Sequence, residues 1–496
     1  MTGGLLTLVS YGYQSQIFCS KPEVTFFKIM YKRHTSFALD SIEQAFKNTP
    51  NFGTTVTVNI SKCGDLVGET YIVVDLPSIP QNTRKDIPSS VKKFAWVENL
   101  GYALLKSVQL EIGGIMIDKH FGEWLFIWNE LSKGKEKKKA LNKMVGNINE
   151  LTDYTNGKST YKLQIPLSFW FCNDMTNTLP VIAMSNSEVK IHVQFNDFNN
   201  VHNVTPTHYF LIENEFVLFR PNEILIQKIE KQTSSCEFVY FDVNTKKLFV
   251  NYISGTFVSY VDPNTKSKYV IQGTESLFTV TPVKTSNSTT SILIKDIDYF
   301  NGITPTIISS FALCKYVYLD NFERVKFIKS DIEFLVPLVL DTQELALNGN
   351  YRNVKVNFTQ PTSEIIWRII LEKNRNINRH FIYDNDGKNI MIKTSMKVDG
   401  TTTINEFSSD FFSYIQNYIY HTNSFREGIN MYSFCLTPED NIPTGTINFS
   451  ELQNVNLQMT LDKSINYQNI AYIKIWGKIY NVMRIVNGRA SLAWVI

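Results

Sequence analysis

The stretch Val189-Lys-Ile-His-Val-Gln-Phe195 alternates strictly between apolar and polar residues. A period of two is typical of a β-strand that buries one face and leaves the other in water or at an interface. The same pattern recurs along the chain, at 55–60, 107–112 and 455–461. Turn signals separate the apolar runs, at Gly113-Gly114, Asn156-Gly157, Asp262-Pro263-Asn264, Asp386-Gly387 and Asp399-Gly400. The pattern therefore predicts an all-β chain of antiparallel sheets, which usually form sandwiches or barrels.

The composition restricts the class of protein further. The 496 residues suggest two large β-sandwiches or about three smaller domains. Hydrophobic residues make up 43% and charged residues 19%, which excludes a disordered chain and a coiled coil. The 34 Phe and 24 Tyr favour strands and large contact surfaces. A formal charge of +3 is far too small for a dedicated nucleic-acid binder, so no sequence-specific nucleic-acid contact is expected.

Cysteine usage and hydropathy predict the compartment. The six cysteines, at 19, 63, 172, 236, 314 and 435, form no Cys-x-x-Cys pair, which argues against zinc ribbons and redox motifs. Sparse cysteine in a large chain fits buried thiols in a reducing compartment. The sequence has no apolar run of the roughly 18 residues that span a bilayer, and its start lacks the pattern of a signal peptide. We therefore expect a protein made and kept in the cytosol.

Helical patterning is rare and short. The stretches Phe121–Leu131 and Asp410–Tyr420 carry apolar residues at helical spacing, and both predict short helices between strands. The segment 213–312 holds dense, short alternating runs with a Ser/Thr/Asn-rich break at 284–290. It predicts a small β-rich block inserted into a loop of a larger domain.

Two loops echo ligand-binding motifs without completing them. The run 152–159 resembles a phosphate loop, but it has Thr152 where the first Gly belongs, and a strand pattern rather than a helix follows it. The run 384–387 resembles part of a calcium loop, but Ile382 and Lys393 occupy positions that need acidic ligands. The first run favours a hairpin turn and the second a β-turn.

Other candidate sites are equally incomplete. The neighbours His202 and His208 lie in Asn/Thr/Pro-rich surroundings that indicate a loop without further metal ligands. The lysine run 133–139 indicates a solvated loop after a helix, with an acidic partner or nucleic acid as the alternative. The sequence contains no nucleophile elbow, zinc-protease motif or dinucleotide fingerprint. We predict no catalytic, cofactor-binding or metal site, and no enzyme.

Five Asn-x-Ser/Thr triplets occur, at Asn59, Asn203, Asn287, Asn357 and Asn448. In so Asn-rich a chain, chance is the default explanation. Asn59 and Asn357 fall within strand patterns, which are poor places for a glycan. Asn203 and Asn287 fall in predicted loops, where a glycan stays open.

Ordered sequence blocks resemble a known family along nearly the whole chain. The blocks are GGLLTLVSYG (3–12), PEVTFFK (22–28), YKRHT (31–35), FALDSIEQ (37–44), KKFAWV (92–97), LEIGG (110–114), PLSFWF (166–171), LPVIA (179–183), YLD (318–320), NFTQPT (357–362), YSF (432–434), PTGTINFS (443–450) and YNVMRI (480–485). They resemble the major capsid proteins of nucleocytoplasmic large DNA viruses, especially the mimivirus-like branch. The resemblance is weakest over 213–312.

The resemblance implies a double jelly roll, two eight-stranded antiparallel sandwiches in one chain. It implies a homotrimer that forms a pseudo-hexagonal capsomer and tiles an icosahedral virion shell, assembled in the host cytoplasm. Partners would be further copies, minor capsid proteins and proteins associated with an inner membrane. The expected parts are an arm (1–23), a first jelly roll (24–325) with the inserted block, and a second jelly roll (326–496).

Two alternatives accompany this interpretation. One is a minor capsid or scaffolding protein of the same fold, and the other is a sugar-binding β-sandwich module. The arm carries apolar residues that fit either a strand of the first sandwich or an assembly arm ordered by neighbouring molecules. In the second case, Val24–Met30 would be the strand that opens the fold.

Overall fold

The structure is a computed structural model that describes residues 3–494 except 30, 83–87, 89–90, 230–231, 260–268, 284–291, 295–298, 301, 424–425 and 468. The expectations placed on Asp262-Pro263-Asn264, the break 284–290 and Asn287 lie outside the described residues.

Antiparallel strands dominate the chain. Those of the first part are β1 (Phe37–Ala45), β2 (Thr55–Asn59), β3 (Leu66–Leu76), β4 (Lys93–Trp96), β5 (Leu105–Ile112), β6 (Ile115–His120), β7 (Tyr161–Pro166), β8 (Val189–Phe195), β9 (His202–Thr205), β10 (His208–Leu211), β11 (Ile224–Ile229), β12 (Gln232–Asp242), β13 (Lys247–Ser254), β14 (Ile271–Gly273), β15 (Thr279–Val280) and β16 (Ser309–Leu319). Those of the second part are β17 (Ile332–Asp341), β18 (Leu345–Leu347), β19 (Tyr351–Lys355), β20 (Pro361–Leu371), β21 (Asp384–Asn385), β22 (Lys388–Asn389), β23 (Met391–Val398), β24 (Thr401–Ser408), β25 (Ile429–Ser433), β26 (Ile447–Asn448), β27 (Val455–Leu461), β28 (Ala471–Val486) and β29 (Arg489–Leu492).

The helices are short. They are α1 (Gly3–Val9), α2 (Gln16–Cys19), α3 (Leu100–Leu104), α4 (Gly122–Ser132), α5 (Lys135–Met144), α6 (Asn149–Thr152), α7 (Trp170–Asn173), α8 (Asn321–Lys329), α9 (Glu372–Asn376) and α10 (Gln416–Tyr420). A π-helical turn, Phe411–Ile415, runs directly into α10. Both predicted helices are therefore confirmed.

The two parts of the chain repeat one topology. The first sandwich pairs the sheet β1-β16-β3-β7 with the sheet β2-β8-β5-β6, and the second pairs β17-β28-β20-β25 with β19-β27-β23-β24. When the eight strands of each sandwich are numbered along the chain, both have the sheet orders 1-8-3-6 and 2-7-4-5. This is the strand order of a jelly roll. The predicted all-β double jelly roll is confirmed.

The predicted alternation sets which side chains enter the cores. Val189, Ile191, Val193 and Phe195 of β8 are buried, whereas the residues between them are partly exposed. Strand β27 repeats the pattern. The predicted turns at Gly113-Gly114 and Asp399-Gly400 join paired strands, and all four residues have positive φ, which glycine adopts without strain.

A third sheet lies between β8 and β16 in the chain. Its order is β10-β13-β12-β11-β14-β15, and it has a separate apolar cluster that includes Phe210, Leu225, Phe241 and Leu248. The ends of this inserted sheet meet, because Tyr209 forms a bridge with Ile294. Strand β16 then completes the first sandwich by pairing with β3.

Residues Met1–Phe37 separate from the rest as their own compact unit. Within this unit the described secondary structure is helical, with α1, α2 and a short 3₁₀ turn at Tyr13–Ser15. The expected strand Val24–Met30 is wrong, since residues 24–29 are irregular and Met30 lies outside the described residues. The apolar run that suggested a strand at 5–11 instead lies largely in the helix α1.

Candidate assembly interface

Helix α4 forms the seam between the two sandwiches. Most of its side chains are apolar and buried, among them Trp124, Phe126 and Trp128, while its two glutamates form ion pairs. A helix with apolar side chains on several sides is stable only when those sides are covered. The ring of Trp124 lies 6.2 Å from that of Trp476 on β28, and the ring of Phe126 lies 4.4 Å from that of Phe381. The helix thus joins the sandwiches through a continuous apolar contact.

An ion-pair network crosses the seam beside this contact. Arg368 on β20 is 2% exposed, and its Nη2 donates to both carboxylate oxygens of Glu123 on α4, at 2.6 and 2.8 Å. The same nitrogen lies 2.7 Å from Glu344, which also accepts from Arg375 at 2.8 Å. A cavity of about 360 Å³ opens beside these groups, lined also by Lys106. Carboxylates from both parts of the chain thus surround the buried guanidinium of Arg368. Without these partners, the buried charge would strongly destabilise the folded chain.

A buried histidine cluster lies at the other end of α4. The fully buried ring of His421 contacts Glu364 at 3.1 Å and Glu439 at 3.0 Å. Burial alone would lower the pKa of His421, but the two carboxylates outweigh burial and raise the pKa to about 9. His421 also stands edge-on to Trp128 of α4, at 6.0 Å between ring centroids. At neutral pH a charged imidazolium therefore neutralises the buried Glu364 and the partly buried Glu439 next to the seam.

Comparisons with known proteins agree with this architecture. Residues 25–253 match the major capsid protein N-terminus, and residues 323–491 match the large eukaryotic DNA virus major capsid protein. Probable capsid protein 4 of Acanthamoeba polyphaga mimivirus is 32% identical, over 100% of this chain and 99% of that protein. The chain belongs to the major capsid proteins of large eukaryotic DNA viruses. It is a structural protein of the viral shell, and capsid proteins of this family are virion components.

Further relatives cover the whole length of this capsid protein. The major capsid protein of Phaeocystis pouchetii virus is 29% identical, over 100% of both chains. Among solved structures, a PBCV-1 virus capsid chain has a TM-score of 0.65 at 19% identity, over 95% of this chain and 100% of that one. The Faustovirus major capsid protein has a TM-score of 0.66 at 11% identity, over 93% of each. At these low sequence identities, the similarity to the two solved structures supports the fold of this chain alone.

Neither of the two ligand-like runs of the capsid protein has the geometry of its binding motif. Lys158, which would bind phosphate in the first motif, donates from Nζ to the carbonyl oxygens of Glu150 and Asp153, at 2.7 and 2.6 Å. The strand predicted to follow is β7. In the second motif, Asp386 and Gly387 form the two-residue turn of the hairpin β21–β22, both with positive φ. The turn prediction for 384–387 is confirmed. The hairpin predicted for 152–159 is wrong, because Thr152 ends α6 and Thr155 and Lys158 form bridges with Phe94 and Ile79.

The loop prediction for the two histidines is wrong, since His202 lies in β9 and His208 in β10. His202 is packed between aromatic rings, with centroids 4.2 Å from Phe198 and 5.3 Å from Phe94. Burial lowers the pKa of His202 to about 4, so the neutral ring is part of the core. The polar neighbours that suggested a loop lie on strands of four residues each, too short to show a clear alternation.

The lysine run is also not a loop, because most of it lies in α5. Lys, Glu and Ala are strong helix formers, and Lys138 pairs with Glu130 of α4 at 2.8 Å. Lys133 ends α4 as its C-cap, and burial lowers its pKa. Most of the lysines therefore lie in a charged helix that follows α4 directly in the chain.

The Asn-x-Ser/Thr triplets are distributed between strands and loops differently from the prediction. Asn203 lies in strand β9 and not in a loop, whereas Asn357 is exposed between β19 and β20 and not in a strand. Asn59 ends β2 as predicted, and Asn448 is exposed at the end of β26. Asn357 follows residues that alternate, but the strand has ended before it.

Within the described ranges, no group of His, Cys, Asp or Glu has metal-site geometry, and no helix is long and apolar enough to cross a membrane. All six cysteines are free, with Cys236, Cys314 and Cys435 buried. The seam residues Glu123, Arg368 and His421 were not found from the sequence. Arg368 and Glu123 are 245 positions apart, so no local spacing connects them.

Proposed function

We propose that this capsid protein forms a homotrimer whose six sandwiches build a pseudo-hexagonal capsomer, and that capsomers tile an icosahedral shell. The observation that carries the proposal is the repetition of one jelly-roll topology in a single chain. Three such chains in a closed ring present six similar sides, and closed cyclic symmetry allows large apolar contacts between copies. The seam already joins two sandwiches by a contact of this kind.

We propose the domain organisation 1–23, 24–325 and 326–496, with the inserted block at about 213–312. The inserted sheet with its own apolar cluster supports an insertion, although its strands begin at His208 and β16 begins at Ser309. The first strand of the first sandwich, β1, begins at Phe37, which supports a separate N-terminal segment before the sandwich.

For partners, we propose further copies, minor capsid proteins and proteins of an inner membrane. The arm supports such partners because Leu8, Ile17 and Phe18 are 76, 79 and 86% exposed, and exposed apolar side chains in a group favour a binding surface. The free cysteines support assembly in the reducing cytoplasm of the host. We propose a structural role without catalysis.

Sedimentation of the purified protein at micromolar concentration, followed by electron microscopy, tests the proposal. We expect three times the chain mass of 57.1 kDa, about 171 kDa, and a particle with six-sided outline. A monomer as the only species would overturn the trimer. Abundance in purified virions separates a major from a minor capsid protein, and a saccharide-binding monomer would favour the sugar-binding alternative.

A further inference from the structure

The helix between β24 and β25 exposes its apolar face. Side chains four positions apart share a helix face, and the outward face of this segment consists of Tyr414, Ile415, Tyr418 and Ile419. They are 40, 48, 80 and 59% exposed. The inward face is mixed, with Ser413, Gln416 and Asn417 buried beside the core side chain Phe412. An ordinary surface helix turns its apolar stripe to the core, whereas this segment leaves a second apolar stripe in solvent. A group of exposed apolar side chains is typical of an interaction surface.

Helix α4 occupies the equivalent place in the first sandwich. It lies between β6 and β7, the fifth and sixth strands, just as the exposed helix lies between the fifth and sixth strands of the second sandwich. The apolar side chains of α4 are covered within the chain by the outer face of β20 and β28, where Trp124 meets Trp476. The same topological position is therefore occupied by a helix in each sandwich. The apolar side chains of this helix are covered in the first sandwich and exposed in the second.

The strands equivalent to β20 and β28 in the first sandwich are β3 and β16. Ile72 and Ala312 are a pair that points into the core, so their neighbours along each strand point outward. The outward pairs are Tyr71 with Leu313 and Val73 with Phe311. Tyr71, Leu313 and Phe311 are partly exposed, Val73 between them is buried, and none of these four residues is charged. The central part of this sheet thus presents an apolar outer face where the second sandwich receives α4.

We propose that the helix face Tyr414, Ile415, Tyr418 and Ile419 of one copy packs on the outer face of β3 and β16 of a second copy of this chain. The contact repeats between copies what α4 does within one copy. It rests on the proposed trimer, for which it names the surfaces. The donor face and the receiving face are different, so each copy uses one of each, and such head-to-tail contacts close into a ring.

The chemistry of both faces fits the centre of a stable interface. Such centres are depleted of charge and enriched in Tyr and other large apolar side chains. The Tyr414 hydroxyl donates to Glu427 at 2.8 Å, which holds its ring in place before binding. Charged residues of the receiving sheet lie beside the apolar pairs and form an ion pair with each other. Lys315 lies 3.3 Å from Glu69.

The first test replaces two of the exposed side chains, as Ile415→Asp with Ile419→Asp. The matched control is Val243→Asp, which changes a 62% exposed side chain at the end of β12 in the inserted sheet. In sedimentation we expect the double variant at the monomer mass of 57.1 kDa, with native circular dichroism, and the control at the trimer mass. A double variant that stays trimeric would overturn this contact while leaving the trimer intact. A monomeric wild type would instead overturn the trimer itself.

The second test locates the contact without disrupting it. Cys19 and Cys63, the exposed cysteines, are first replaced by serine. One copy then carries Tyr418→Cys and a co-expressed, differently tagged copy carries Leu313→Cys, and a short bis-maleimide is added. We expect a cross-linked heterodimer in the mixed protein and none in either single variant. Cross-linking of Tyr418→Cys to itself would mean that two helices pair, and no cross-link in a trimeric mixture would place the contact elsewhere; either result overturns the proposal.

Discussion

Replacing His421 by glutamine removes a buried positive charge next to the seam and should change how stability depends on pH. The folded pKa of about 9 lies above the ordinary histidine value of 6.5. The stabilising contribution is therefore fully present below pH 6.5 and is lost as the pH rises through about 9. A pKa difference of this size corresponds to about 3 kcal/mol. The groups facing His421 are Glu364, Glu439 and, over the Trp128 ring at 4.4 Å, Lys478.

The measurement is urea unfolding at one fixed protomer concentration, between pH 6 and pH 10, for the wild type and His421→Gln. The difference in free energy of unfolding between the two should fall by about 3 kcal/mol over this range, because all other groups titrate in both proteins. The control is His208→Gln, a partly buried histidine of the inserted sheet. A difference that stays constant from pH 6 to pH 10 would refute the charged imidazolium.

Four other changes test the remaining features. Arg368→Met and Glu123→Gln, alone and together, should show a coupling of about 2 kcal/mol in denaturant unfolding, since they form one buried network; additive effects would contradict this. His202→Phe should flatten the acid side of the stability curve, because a pKa lowered to about 4 costs the wild type about 2 kcal/mol between pH 7 and pH 5; an unchanged acid slope would argue against a neutral buried ring. Replacing 208–294 with a short Gly/Ser linker should leave a folded trimer, because Tyr209 and Ile294 are already paired; loss of cooperative unfolding would show that the inserted sheet belongs to the core. Deleting residues 2–20 should spare the melting temperature but impair shell assembly; a fall of many degrees would mean that the arm supports a sandwich core.

The alternating stretches were predictable because a half-buried strand leaves its period in the sequence. Runs such as 189–195 and 455–461 show the period clearly, and both lie in central strands. His202 and His208 lie on strands of four residues, where alternation is too brief to outweigh Asn, Thr and Pro neighbours. The loop prediction for the lysine run is wrong because its Lys and Glu residues have high helix propensity despite their charge.

The seam could not be predicted, because it depends on contacts between residues far apart in the chain. Glu123, Arg368 and Glu344 look like ordinary surface charges until the fold places Arg368 at 2% exposure between the two carboxylates. The apolar spacing over 410–420 predicts the helix, but it does not show that Ile415 and Ile419 point outward. Which face of a helix points to solvent depends on the sheet that the helix packs against.

The inserted sheet has a consequence for how such a shell evolves. Its apolar cluster is separate from those of the two sandwiches, and its two ends leave the first sandwich side by side. Substitutions inside that cluster leave the apolar cores of the two sandwiches unchanged. Mutations within this block are therefore expected to be tolerated more readily than mutations in the two sandwich cores, so this part of the chain can diverge faster than the sandwiches that carry it.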